Sequence, residues 1–263
     1  MSPDESKWND LDTTTPNPAR MYDYLLGGGA NFAADRAAVD QVLRTNPQGR
    51  QQTQANRAFL RRVVHHLAGL GVRQFLDLGA GVPTVGPVHE IAHRYAPEAR
   101  VVYVDNEPIA ATYSRRVLAG VPGTAVVEQD IRDVDTVIAR AGQLLDFAEP
   151  VAVLAFAVLH FLADDAVAGQ LVVDYRERTV AGSWLAISHG TAEDDPAVGE
   201  AVRHYQHTSM PGALRTRAQV TAFFKGYDLV EPGVVGVPDW HPDPLEEPGR
   251  IRAAFLGGLG RRP

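Results

Sequence analysis

The stretch Gln74-Phe75-Leu76-Asp77-Leu78-Gly79-Ala80-Gly81 is an apolar run that ends in an acid and a glycine turn. A second run, Val101-Val102-Tyr103-Val104-Asp105, closes on an acid again. Gly79 and Gly81 let the backbone turn sharply after a strand and come close to a ligand. Asp105, 105 − 81 = 24 residues past Gly81, stands where a carboxylate can hold ribose hydroxyls. Together the two runs describe a nucleoside-shaped pocket at the end of a parallel sheet.

A dinucleotide fingerprint places a third glycine near position 84, where a diphosphate must be admitted. Here the turn continues as Gly81-Val82-Pro83-Thr84. Pro83 removes a backbone N–H and Thr84 adds a side chain, so the turn suits NAD or FAD poorly. A ligand without phosphates fits better, and S-adenosylmethionine is such a ligand, with an adenosine, a sulfonium and an amino-acid tail. The bland alternative is a tight strand-to-helix turn in some other α/β protein; the second acid, Asp105, favours the nucleoside.

At 263 residues, 45% hydrophobic and 22% charged, the chain is long and apolar enough for one large α/β domain with an added segment. The formal net charge of −7 argues against a protein that grips nucleic acid through its phosphates and points to a small-molecule or protein substrate. There are no cysteines, which excludes disulfides, thiolate metal sites and cysteine nucleophiles. The opening MSPDESKWND lacks the basic start and apolar core of a signal peptide. No run is long enough to span a bilayer, so no membrane partner and a cytoplasmic location are expected.

Residues 1–16 are polar and aperiodic and are expected to form a disordered tail. Residues 17–71 read as a helical cap, with Pro18 opening a short helix that Gly27-Gly28-Gly29 must end, then helices over 33–43 and 53–70. Residues 72–263 form the nucleoside-binding unit, one structural unit with the cap. Strands at 74–78, 100–105, 124–129, 151–158 and 184–188 alternate with helices near 85–95, 108–118, 134–145 and 165–180, the signature of βαβ units. The run 151–158 is apolar throughout, as a central parallel strand is, and belongs beside the first strand. After a helix at 217–224, two extended runs, 227–237 and 252–260, follow with no helix between them and are expected to pair antiparallel at the sheet edge.

The segments RMYDYLLGGGANFAADR, NRAFLRR, RQFLDLGAGVPT, ARVVYVDNEP, LLDFAEPVAVLAFAVLHFL and DLVEPGVVGVP resemble the actinobacterial S-adenosylmethionine-dependent methyltransferase family long catalogued as a domain of unknown function, a likeness that runs from about Asn17 to Leu259. The resemblance implies a Rossmann-like class I methyltransferase fold: α/β, with a seven-stranded, mostly parallel sheet, an antiparallel last strand and an N-terminal helical cap. It implies S-adenosylmethionine as cofactor and names no methyl acceptor. Carried over position by position, Asp77, Gly79, Ala80 and Gly81 would line the amino-acid tail and ribose, and Asp105 would take the ribose hydroxyls. Asn106 would sit beside the adenosine, Asp130 would read the adenine amino group and Ile131 would cover the ring. A helix N-cap is the bland alternative for Asp130.

The fourth strand ends in Ala157-Val158-Leu159-His160. Ligands of open α/β sheets sit at carboxyl strand ends, so Ala157 and Val158 are expected to face the cofactor and His160 to border the transferred methyl. Histidine has a pKa suited to a general base, and a structural or cofactor-contacting histidine fits the position equally. Arg20, Tyr22, Tyr24, Asn31 and Arg36 surround the triple glycine. Tyr22 and Asn31 are candidate cofactor contacts on a cap that closes over the ligand; simple packing of a short helix is the alternative. His89 and His93 share an i, i+4 spacing without a third ligand, so no metal is expected. The reading is an S-adenosylmethionine-dependent methyltransferase acting on a small molecule. Its rivals are a non-catalytic binder of the cofactor or its demethylated product and, less well supported, an NAD(P)-dependent oxidoreductase.

Overall fold

The structure is a computed structural model that describes residues 12–204, 208, 210, 212–242 and 251–263. Residues 1–11 of the expected tail lie outside the described residues.

The apolar runs become strands β1 (Gln74–Leu78), β2 (Arg100–Asp105), β3 (Thr124–Glu128), β4 (Ala152–Phe156) and β5 (Trp184–Gly190), all parallel. Helices α4 (Val88–His93), α5 (Pro108–Val117), α6 (Val134–Ala141) and α7 (Asp165–Glu177) connect them. Strand β1 lies between β2 and β4, and both β1 and β4 are buried along their full length because helices cover both faces. The chain order reverses across the β1–β4 boundary. Loops leaving the carboxyl ends of these two strands part in opposite directions and open a crevice there.

The C-terminal part carries the antiparallel strands. Strand β8 (Phe255–Arg261) runs antiparallel to β5 along seven paired residues, from Trp184↔Arg261 to Gly190↔Phe255. On its other side β8 pairs with β6 (Asp228–Leu229) and β7 (Val235–Gly236), also antiparallel. Among the described residues the sheet therefore counts eight strands where seven were expected. The extended run 227–237 is cut in two because Pro232 cannot donate to the ladder and Gly233, at φ +82°, turns the chain away from it. The two pieces share one position beside β8, so the order of seven positions is kept.

Helices α1 (Pro18–Leu25), α2 (Ala33–Thr45) and α3 (Gly49–Gly69) precede the sheet. The Asn17 side chain accepts from Ala19 N at 2.8 Å and Pro18 opens α1, while Gly27, at φ +84°, ends it. Helix α3 turns Phe59, Val63 and Leu67 inward, each fully buried. Phe59 meets the rings of Phe156 at 5.4 Å and Trp240 at 5.3 Å. Gly257 on β8 makes that possible, since a Cβ there would stand 2.5 Å from the Phe59 ring.

Two polar latches fasten the cap to the sheet. Arg20, buried, donates from Nε to Asp35 at 3.0 Å and from Nη1 to Glu107 at 2.7 Å. Glu107 also caps α5 through Ala110 N, so one carboxylate joins the cap to the end of β2. Asp23 accepts from Ala30 N at 2.7 Å, Asn31 Nδ2 at 2.9 Å and Thr84 Oγ1 at 2.7 Å. The triple glycine wraps around Asp23: a Cβ on Gly28 would overlap the Asp23 carboxylate.

Candidate active site

A cavity of about 380 Å³ opens at the carboxyl ends of β1, β2 and β4, under α1 and α3. Twelve of the thirteen positions singled out in the sequence line it: Tyr22, Asp77, Gly79, Ala80, Gly81, Asp105, Asn106, Asp130, Ile131, Ala157, Val158 and His160. Asn31 is not among the lining residues. Its amide donates to Asp23 Oδ2 and Gly28 O, and its Oδ1 accepts from Arg36, so the side chain is spent on holding the glycine loop.

The turn after β1 has the backbone the glycines imply, with φ +66° at Gly79 and +59° at Gly81. A side chain at Gly79 would overlap Val158. Asp105 fixes this turn: Oδ2 accepts from Gly81 N at 2.7 Å and Oδ1 from Glu107 N at 2.9 Å. Burial raises the Asp105 pKa, and the backbone donors from Glu107 and Gly81 oppose that rise. Each of its oxygens keeps a further lone pair for a ligand hydroxyl. Asp77 has no such donors. Burial pushes it up to about 7, the nearby Arg57 charge pulls it down and Asp105 pushes it up again.

Asp130 sits at the rim, where Arg132 donates to it from Nε at 3.0 Å and Nη2 at 2.5 Å. That pairing is the first cause of its lowered pKa. The α6 N-cap is Asp133, whose side chain accepts from Thr136 N, so Asp130 does not serve as the cap. Ile131 is buried beside it. Ala157 takes φ +50°, a conformation rare for alanine, and its N–H donates to both Ser188 O and Ser188 Oγ at 3.0 Å. This bend turns the chain out of β4 across the cavity.

His160 follows in a short 3-10 turn, Leu159–Phe161. Its Nδ1 is buried without a hydrogen-bond partner, facing Gly190, and its Cδ2 edge faces Gly212. Burial first, then His189 and Arg215, press its pKa down to about 3, so the imidazole is neutral at physiological pH. Behind it, Arg215 Nη1 donates to His189 Nε2 at 2.8 Å, which leaves His189 Nδ1 to donate to Gly190 O at 2.9 Å. Arg215 also donates to Leu159 O and Leu162 O and pairs with Asp165, holding the His160 turn in place.

Sequence reasoning missed the polar stripe of α3. Gln52, Thr53, Asn56 and Arg57 all line the cavity. Tyr22 joins this stripe: its hydroxyl accepts from Asn56 Nδ2 at 2.9 Å and the Arg57 guanidinium lies 5.6 Å over its ring. Leu25, Leu60, Phe161, Leu214 and Phe255 add apolar surface to the same wall. Among the described residues no cluster of histidines and acids could hold a metal, and no helix is long and apolar enough to cross a membrane.

A glycine turn held by the acid of the next strand, with acids but no phosphate cradle, on a sheet ending in an antiparallel strand, defines a nucleoside-binding class I methyltransferase. The residues present suit S-adenosylmethionine: lone pairs on Asp105 for a ribose, and orphaned polar atoms near Asp77 for a charged tail. The chain belongs to the S-adenosyl methyltransferase family, whose model matches residues 4–263. It is similar to a DUF574 family protein from Streptomyces avermitilis MA-4680, at 43% identity over 96% of this chain and 99% of that one, TM-score 0.91. A Thermobifida fusca YX protein provisionally described as a methyltransferase is 37% identical over 96% and 97% of the two chains, TM-score 0.90. The N-methyltransferase NodS from Bradyrhizobium japonicum WM9, solved with S-adenosyl-L-homocysteine, shares the fold at 16% identity over 93% and 99%, TM-score 0.51. No curated protein matches the chain. The protein is an S-adenosylmethionine-dependent methyltransferase.

Proposed function

We propose that this enzyme methylates a small, largely apolar acceptor held beneath the cap, with the cofactor along the glycine turn. One observation carries the reading: a single cavity is lined both by Gly79 and Asp105 and by the apolar side chains of Leu25, Leu60, Phe161, Leu214 and Phe255. An acceptor of that character gains roughly 25 cal/mol for each Å² of apolar surface it buries there, and the net charge of −7 offers no grip on nucleic acid.

When bound, S-adenosylmethionine supplies an electrophilic methyl on a sulfonium that leaves as a neutral thioether. The chain's part is alignment and exclusion of water, which contribute much of the rate when the reacting atoms are held in line. In this reading Asp105 takes the ribose hydroxyls, Asp77 faces the amino-acid tail, and Asn106, Asp130 and Ile131 border the adenine. Ala157 and Val158 carry the β4 bend past the sulfonium. His160, neutral and facing the acceptor end, accepts a hydrogen bond and orients the acceptor. With a pKa near 3 it is a weak store for a proton.

The test is a panel of phenols, amines and carboxylic acids, with peptide and RNA controls, monitored by release of S-adenosylhomocysteine. Turnover confined to apolar small molecules supports the proposal; methylation of RNA or peptide alone would sink it.

A further inference from the structure

Three buried polar atoms of cavity-lining residues lack a hydrogen-bond partner among the described residues: His160 Nδ1 and, on consecutive residues of α3, Asn56 Oδ1 and Arg57 Nε. The other end of the Asn56 amide is committed, since Nδ2 donates to Tyr22. Arg57 stacks over the Tyr22 ring and, among the described residues, makes no hydrogen bond or ion pair. Asp77 lines the same part of the cavity, near enough for the Arg57 charge to act on it, yet no ion pair joins the two. A buried guanidinium donor and a buried amide acceptor are costly to leave open, and such orphans call for an explanation. The arrangement is one cation with free donors beside two free acceptors. Its complement carries an anion and a cation a few bonds apart, as an α-amino acid does. A phosphate would satisfy Arg57 but would face the Asp77 carboxylate with like charge and would offer Asn56 Oδ1 no proton to accept.

We propose that Asn56, Arg57 and Asp77 read the amino-acid end of the cofactor: the Arg57 guanidinium takes the carboxylate, and Asn56 Oδ1 with Asp77 takes the ammonium. This rests on S-adenosylmethionine lying along the glycine turn. It makes the cap helix α3 part of the cofactor site, opposite the sheet. It also makes the carboxylate a selection feature, so nucleosides without the amino acid bind poorly.

Titration calorimetry with three ligands tests this: S-adenosylhomocysteine, decarboxylated S-adenosylmethionine and 5′-methylthioadenosine. Arg57→Met is expected to weaken S-adenosylhomocysteine by about 10–100-fold, the value of a charge-assisted bidentate contact. It should leave the two ligands without a carboxylate within about 3-fold of wild type. Asn56→Leu should weaken both ligands that carry the ammonium and spare 5′-methylthioadenosine. If Arg57→Met does not fold, Arg57→Lys decides, because lysine keeps the charge and loses the fork; a selective loss of about 3–10-fold for S-adenosylhomocysteine is then expected. Equal weakening of all three ligands by the Arg57 variants would overturn the assignment and leave Arg57 a stacking partner of Tyr22. Unchanged S-adenosylhomocysteine binding in those variants would overturn it too, with the cofactor site intact. Wild-type protein that binds no S-adenosylhomocysteine would overturn the cofactor site itself.

Discussion

Asp77→Asn is expected to make the ligand-free protein more stable and a poorer binder of its cofactor. Asp77 is buried and pushed up from 3.8 to about 7, chiefly by desolvation. An acid with a raised folded pKa favours folding at low pH and loses that contribution as pH rises through the folded value. The loss here therefore runs from about pH 4 to about pH 7. At 1.36 kcal/mol per pH unit, the gap of 7 − 3.8 = 3.2 makes the carboxylate cost about 4 kcal/mol at pH 8.5 and about 2 kcal/mol at pH 5.5. Asparagine carries no charge at either pH. Denaturant unfolding should show the variant gaining about 2 kcal/mol more over wild type at pH 8.5 than at pH 5.5. Calorimetry should show the reverse for the ligand. A cationic tail restores the Asp77 charge, so wild-type affinity for S-adenosylhomocysteine should rise with pH through about 7, and the variant should bind about 10–100-fold more weakly with a flat profile. An Asn variant less stable than wild type at pH 8.5, or a gain equal at both pH values, would refute the reasoning.

Asp105→Ala should weaken cofactor binding by about 1.5–3 kcal/mol and also lower stability by about 1–3 kcal/mol, because Gly81 N and Glu107 N lose their acceptor. Unchanged unfolding midpoints would count against the second part. Arg20→Met leaves the Asp35 and Glu107 carboxylates buried and unpaired, and should cost about 3–5 kcal/mol in chemical denaturation; a loss under about 1 kcal/mol would mean the latch bears little. With an acceptor in hand, His160→Ala should lower kcat by less than about 10²-fold, without removing a pKa near 6–7 from the pH profile. A titration there that vanishes in the variant would restore the general base.

The sheet was legible because burial dictates composition. A strand covered on both faces is apolar wherever no buried polar group is put to use: β4 is apolar throughout, and β1 is apolar but for Gln74 and the cavity-lining Asp77. The glycine turn was legible because Gly79 and Gly81 adopt φ values other residues avoid. Asn31 misled because a short polar side chain in a glycine-rich loop reads equally as ligand contact or as partner for buried backbone, and only the fold around Asp23 decides. Asn56 and Arg57 were invisible for a related reason. Helix α3 carries polar residues on most of its turns, and nothing in the spacing marks which of them face the cavity. The break between β6 and β7 was written in Pro232-Gly233, but an extended run of apolar residues outweighed it.

The position of β8 also has a consequence for synthesis. It is laid between β5 and the short β6 and β7 pieces although it follows all of them in the sequence. Its Gly257 receives Phe59, 257 − 59 = 198 residues earlier. A ribosome adding about 5–20 residues per second therefore makes Phe59 about 10 seconds or more before Gly257, and the flank of β5 stays unpaired while a further 261 − 190 = 71 residues are added, about 4–14 seconds. Contacts of such sequence separation are slow to form and leave sticky surface bare meanwhile. A chaperone that shields an aromatic helix face and an open strand would find its substrate during that interval, and truncation before residue 255 would prolong it indefinitely.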